Sequence, residues 1–333
     1  MAISLVIVSH GLAQSFPIVT KLGALGVNLF FALSGYLICT LLLSEQEENG
    51  TISLSAFYKR RVFRIVPPAL IYLAVVALLG AAGIITLRKG ELLSAFYAAN
   101  YFHARSWFTE HFWSLSMEEH FYLFWPAILV LLGPRKARFA ALGLVGTLLL
   151  YRPWGERHFD ASAYQHTDMR LDAFLLPCTL AIVLKEPAWR ARFASLLRPW
   201  VCVLLAGTTG AFSALAAMNP AYDNVQKLFQ SAVCPLLIVS TVLRPSFLGI
   251  VLELPAIRWV GRISYSLYLW QQLFLFQEHP GPPFVLRVLF IVAFATASYY
   301  FVERPMIRFG QRMASPPTAA PLLESVAVRA SQS

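Results

Sequence analysis

Apolar residues in this chain fall into long unbroken runs separated by short polar or aromatic pieces. A helix rises about 1.5 Å per residue, so roughly 20 apolar residues cross about 30 Å of hydrocarbon. Runs of that order occupy Leu22 to Leu43, a third segment closing near Leu87 with Pro67 and Pro68 in its first turns, Phe112 to Gly133, and a fifth segment ending near Tyr151. Further runs lie at about Leu171 to Leu184, Trp200 to Met218, Leu228 to Leu243, Ile263 to Phe276 and Phe284 to Val302. The run before Leu12 is too short to span and reads as the second half of a helix. The pattern predicts an all-α, polytopic transmembrane helical bundle of about ten spans, the first incomplete.

The polar pieces divide the runs. Glu45 to Tyr58 reads as an amphipathic connector, Arg88 to His111 as a loop with a short apolar piece, Arg135 to Arg138 as a basic turn, and Arg152 to Arg170 as a polar, aromatic loop. Residues 1–312 form the membrane domain, and the Pro/Ala/Ser-rich stretch 313–333 has too little to bury to fold, so it is expected to be a disordered tail.

Composition agrees. With 58% hydrophobic and 13% charged residues the chain is too apolar for a soluble domain. The net charge of +10 would suggest nucleic acid in a soluble protein. Here it follows the positive-inside rule instead, because a cytoplasmic N-terminus puts 18 of the 27 Lys and Arg residues on the inner side. That orientation makes both termini cytoplasmic and the lipid bilayer the large partner, with no nucleic acid. The chain opens without the basic region of a cleavable signal peptide. Cys39, Cys178, Cys202 and Cys234 stand singly in apolar runs, without metal-ligand spacing, and read as small core residues.

Some polar residues do not belong in a purely structural membrane helix. The run Trp113-Ser114-Leu115-Ser116-Met117-Glu118-Glu119-His120-Phe121-Tyr122 puts two carboxylates and an imidazole inside a span, where a charge at the centre costs roughly 3 kcal/mol. Glu118 and Glu119 point about 100° apart, so at most one faces a given partner. Arg61 and Arg64, three apart, share a face at the membrane boundary. His158, Asp160, His166 and Asp168 invite a metal reading, but their spacing matches no zinc motif; solvated loop polarity or contact with a sugar explains them.

Seven stretches together, in order, resemble the bacterial acyltransferase family 3, integral-membrane proteins that transfer acyl groups, often acetyl, to hydroxyls of sugars and envelope polymers. They are the apolar lead-in to His10, Gly26 to Ile38, Phe57 to Pro67 with its paired arginines, Trp113 to Pro126, Arg170-Leu171-Asp172-Ala173, Gly261 to Trp270, and Tyr299 to Pro305. The set covers about residues 1–312.

The resemblance implies a membrane O-acyltransferase that moves an acyl group, acetyl above all, from acyl-coenzyme A to a hydroxyl of a carbohydrate or glycolipid acceptor at the bacterial inner membrane, without a metal. Such a transfer needs a base, oxyanion donors and an anchor for the donor's phosphates. His10 is the candidate base or acyl relay, and Glu118 its partner or that of the arginines, with a buried ion pair as the structural alternative. Arg61 and Arg64 are the donor anchors, since guanidinium binds phosphate bidentately. Ser264, Tyr265 and Tyr268 are secondary candidates whose packing role is the stronger reading. Glu303-Arg304-Pro305 reads as a helix terminator with a local ion pair.

Two departures from the family pattern stand out. The basic residue expected eleven positions before His10 would precede Met1, which suggests a start placed too far downstream or an impaired protein. Asn28 stands where Asp is often found. The resemblance also includes members with an appended extracytoplasmic hydrolase-like domain, for which 333 residues are expected to leave no room, so transfer would have to be completed in the membrane or by a separate envelope partner. The rival readings are a transporter or flippase of lipid-linked saccharide and a truncated, inactive homologue.

Overall fold

The computed structural model describes residues 2–12, 16, 19–88, 91, 94, 96–101, 105–158, 165–219, 222–244, 247–276 and 281–314. Among the described residues every regular element is helical. Five helices are long and apolar enough to cross a membrane: Thr20–Asn49, Leu54–Ala81, Pro199–Met218, Val225–Leu243 and Phe284–Ala314. With the shorter apolar helices Ala2–Leu12 and Asp172–Val183, they make a multi-pass helical membrane protein.

In chain order the helices are α1 (Ala2–Leu12), α2 (Thr20–Asn49), α3 (Leu54–Ala81), α4 (Trp107–Glu110), α5 (Phe112–His158), α6 (Thr167–Arg170), α7 (Asp172–Val183), α8 (Pro187–Leu196), α9 (Pro199–Met218), α10 (Asp223–Leu243), α11 (Phe247–Glu253), α12 (Pro255–Arg262), α13 (Ser264–Phe274), α14 (Phe284–Ser298) and α15 (Arg304–Ala314). A short 3-10 turn covers Ala99–Tyr101, and a π-helical turn, Tyr299–Glu303, joins α14 to α15.

Helix α2 is the hub, packed against α1, α5, α7 and α10. Glycines let the backbones touch, as small residues do between membrane helices. A Cβ on Gly26 would stand 2.7 Å from the Ala2 carbonyl oxygen, and one on Gly35 would stand 2.5 Å from that of Phe174. Around these contacts Phe31, Phe121 and Phe174 are fully buried, with Phe121 stacked on Phe174 at 4.8 Å between centroids.

Helix α5 is a hairpin. Gly133, at φ 70° and ψ 162°, breaks the helical path, which a residue without a Cβ does readily. The two limbs run in opposite directions: His120 on the first and Arg152 on the second both reach the Thr167–Asp172 segment, while Arg138 between them pairs with Glu186. The expected fourth and fifth spans are these limbs. The expected basic turn, Arg135 to Arg138, is instead helical, because one glycine suffices for the reversal.

Three other expectations change. The connector from Glu45 to Tyr58 shrinks to residues 50–53, because α2 runs to a left-handed cap at Gly50 and Ser53 caps α3 by accepting from the Ala56 amide. Pro67 and Pro68 therefore lie in the interior of α3 rather than its first turns. Glu303-Arg304-Pro305 does not end a helix. Pro305 lacks the amide that would bond the Phe301 carbonyl, the turn there widens to π, and the helix continues to Ala314. Glu303 is fully buried and accepts from Ser266 Oγ at 2.8 Å, not from Arg304. The stretch expected to be a disordered tail lies outside the described residues from 315 onward, as does Asp160.

Candidate active site

Four helices turn polar side chains toward one cavity of 290 Å³. Helical spacing explains which residues reach it. From α2 come Val27, Phe30, Phe31, Ser34 and Leu37; from α3, Arg61, Arg64 and Ile65; from α5, Ser114, Leu115, Glu118, Glu119 and Tyr122; from α13, Ser264, Tyr265 and Tyr268. Aromatic and aliphatic residues make most of the wall, and two guanidiniums, two carboxylates and six hydroxyls are its polar groups. Six of the seven residues singled out from the sequence meet here. His10 does not line the cavity.

Within the cavity, Glu118 is held from two sides. Ser34 Oγ donates to its Oε1, and the Tyr122 hydroxyl donates to the same oxygen at 2.9 Å while lying 3.0 Å from Ser34 Oγ. The Arg61 guanidinium sits 4.4 Å above the centroid of the Tyr122 ring, a cation–π arrangement that fixes its position without neutralising it. Glu119, which faces the same cavity, feels the charges of Glu118 and Arg61. The Tyr265 hydroxyl donates to the Ile65 carbonyl at 2.7 Å, tying α13 to α3 beside Arg64.

His10 lies at the opposite end of α13. Its Nδ1 is 2.8 Å from Gln271 Oε1, and its ring meets Trp107 edge-on at 5.5 Å. Gln271 Nε2 donates to Gln272 Oε1 at 3.0 Å, which orients the amide with its carbonyl oxygen toward the histidine. With the amide so oriented its carbonyl oxygen only accepts, and the matching tautomer carries the proton on Nδ1 and the lone pair on Nε2, the form that a base at Nε2 requires. Glu118 and His10 are therefore fixed by different groups: Glu118 by Ser34 and Tyr122, His10 by Gln271 and Trp107.

Helix α13 joins the two places. Ser264, Tyr265 and Tyr268 line the cavity and Gln271 holds His10, all along one 11-residue helix. The Tyr268 hydroxyl shares a hydrogen bond with Ser114 Oγ on the cavity wall and lies 3.3 Å from the His111 carbonyl oxygen.

A second buried polar network lies behind α2. Arg152 pairs with Asp172 at 2.8 Å, Arg170 donates to Asn28 Oδ1, and Asn28 donates to Gln230 Oε1. Asn28 thus both accepts and donates, which an Asp carboxylate could not do. Of the residues read as a metal or sugar site, His158 Nδ1 meets the Trp154 carbonyl, whereas His166 and Asp168 flank or begin α6. Among the described residues no three His, Cys, Asp or Glu side chains gather as metal ligands.

Sequence reading singled out Glu119 as a carboxylate within a span but gave it no role in the site, and it missed Ser34, Tyr122 and Gln271. For Gln271 a signal was present, since a glutamine one turn after Tyr268 in an apolar run has to find a partner. Ser34 was legible only as a packing residue.

The profile of the acyltransferase domain matches residues 1–303. The chain is 30% identical over 337 residues to the Bacillus subtilis protein named "Putative peptidoglycan O-acetyltransferase YrhL", covering 87% of this chain and 51% of that protein. It is 30% identical over 333 residues to a Staphylococcus aureus protein named "Putative O-acetyltransferase", covering 86% and 53%. With peptidoglycan O-acetyltransferase OatA of Listeria monocytogenes it shares 29% over 332 residues, covering 87% and 52%. The chain spans about half the length of these curated relatives. No solved structure matches it significantly.

Proposed function

The chain belongs to the acyltransferase domain family, and from that premise we propose that it transfers an acyl group, acetyl by preference, from acyl-coenzyme A to a hydroxyl of a carbohydrate acceptor in the cell envelope. Residues 1–312 are the working membrane domain in this reading. It sits in the inner membrane with both termini cytoplasmic, where the donor is available and where most Lys and Arg residues fall.

The observation that carries the proposal is the convergence of Arg61 and Arg64 with Glu118, Tyr265 and Tyr268 on one mostly apolar cavity. Two guanidiniums bind the donor's phosphates, and the apolar wall takes its uncharged arm, whose thioester end extends along α13 toward His10. Glu118 holds the polar face of the cavity through Ser34 and Tyr122. His10, with its lone pair on Nε2, takes the proton of the attacking hydroxyl as the carbon–oxygen bond forms, then returns it to the departing thiolate. A second envelope protein or domain can carry the product onward, as the longer relatives leave room for.

The test uses purified protein in lipid with acetyl-labelled acetyl-coenzyme A and glycan fragments of peptidoglycan. Label recovered as an ester on a sugar hydroxyl, lost with His10→Ala, is the expected result. Saccharide moved across the bilayer with no thioester consumed would replace the enzyme by a transporter.

A further inference from the structure

His111 has no part in the account so far, yet it is among the most constrained polar residues in the structure. It follows α4 directly, is 2% exposed, and packs edge-on against Tyr72, Phe112 and Tyr268, with centroids 5.4, 4.9 and 5.4 Å away. Its backbone carbonyl is used, accepting from Ser114 Oγ at 3.0 Å with the Tyr268 hydroxyl 3.3 Å away. Neither Nδ1 nor Nε2 of its ring has a hydrogen-bond partner among the described residues. A neutral imidazole carries one donor and one acceptor, and burying both unsatisfied is uncommon enough to need an explanation. Burial pushes the ring's pKa down to about 3, with the charge of His10 acting in the same direction, so it is a neutral donor at physiological pH.

Position supplies the explanation. Tyr268 and Gln271 are three residues apart on α13 and so share a face, roughly 4.5 Å apart along the axis. Tyr268 meets His111 and Gln271 meets His10, so the two imidazoles stand one turn apart along that face. Tyr268 and Ser114, which fix the backbone of His111, are themselves cavity wall. His111 therefore lies directly behind the Tyr268 and Ser114 wall of the donor cavity, on the helix α13 face that continues from the cavity to the Gln271 partner of His10.

We propose that His111 is a second catalytic imidazole, whose ring N–H takes the oxygen of the acyl carbonyl while His10 takes the proton of the attacking hydroxyl. This rests on the acyltransferase reading above. The hydroxyl oxygen bonds to the carbonyl carbon, the carbonyl electron pair moves onto the oxygen facing His111, and His10 Nε2 receives the proton. As the pair returns, the carbon–sulfur bond breaks and the thiolate takes that proton from His10. His111 makes and breaks no covalent bond. It supplies a hydrogen bond that strengthens as negative charge develops, from a side chain buried away from solvent.

The experiment is infrared difference spectroscopy of carbonyl-13C acetyl-coenzyme A bound to the full chain in lipid, with His111→Phe, His111→Gln and His10→Ala. The wild type is expected to lower the thioester carbonyl frequency. His111→Phe, which keeps ring volume, should abolish that shift and slow transfer roughly 100-fold with affinity for acetyl-coenzyme A retained. His111→Gln, which keeps a donor, should recover part of both, and His10→Ala should keep the shift. Thermal melting of each variant reports whether it folds. A wild-type carbonyl without the shift, or a shift that survives His111→Phe, overturns the role of His111. Failure of the wild type to bind acetyl-coenzyme A at all would instead defeat the acyltransferase reading on which it rests.

Discussion

Tyr122 does two jobs in the cavity that substitution can separate. Its hydroxyl donates to Glu118, and its ring lies under the Arg61 guanidinium at 4.4 Å. Tyr122→Phe removes the first interaction and keeps the second. A hydrogen bond to a carboxylate contributes about 1.5–3 kcal/mol, and Tyr122 is only 4% exposed, so a drop of about 2 kcal/mol in stability is expected. Donor affinity should stay within about twofold, because Arg61 keeps its platform. Tyr122→Leu removes both. Losing a desolvated cation–π contact of about 1–2 kcal/mol should weaken acetyl-coenzyme A binding roughly 5- to 30-fold. Calorimetric titration of detergent-solubilised protein, paired with thermal melting, measures both quantities. Equal loss of affinity in the two variants would show that Glu118, not the ring, positions Arg61. Unchanged affinity in Tyr122→Leu would remove Arg61 from the donor site.

Gly35→Val should drive α2 from α7, since even a Cβ would stand 2.5 Å from the Phe174 carbonyl oxygen; overpacking of this kind costs about 1–3 kcal/mol and should lower the melting temperature. Gln271→Leu removes the group that holds the His10 tautomer, so turnover should fall at least about tenfold while acetyl-coenzyme A binding holds, a split that steady-state kinetics and titration detect. Arg152→Met leaves the fully buried Asp172 without its ion-pair partner, which costs about 3–5 kcal/mol. The double variant Arg152→Met/Asp172→Asn should melt above the single, because no uncompensated charge is left.

The helical membrane fold was legible because long apolar runs have few other uses in a chain of this composition. The second half of the site was less so. Arg61 and Arg64 announce themselves by sharing a helix face, and Glu118 by its cost in an apolar span. Ser34 shows nothing of the kind, because a hydroxyl inside a glycine-containing helix is also ordinary packing, and only the approach of α5 makes it a partner of Glu118. The sequence could not show that His10 and Glu118 are held by different groups, since that depends on how α13 lies across the bundle. It also misled where local rules were applied alone. Prolines suggested that Pro67 and Pro68 lie in the first turns of a helix and that another ends at Pro305, whereas Ser53 caps the first well upstream and a π turn carries the second past its proline.

The central claim is a division of labour, with donor binding at Arg61 and Arg64 and proton transfer at His10. Equilibrium binding of acetyl-coenzyme A to the wild type, His10→Ala and Arg61→Ala/Arg64→Ala tests it most directly, since it needs no acceptor. The account predicts His10→Ala within about twofold of wild type and the double arginine variant weaker by at least about tenfold, the effect of losing charge-assisted phosphate contacts. Affinity lost with His10→Ala, or kept without both arginines, would contradict it.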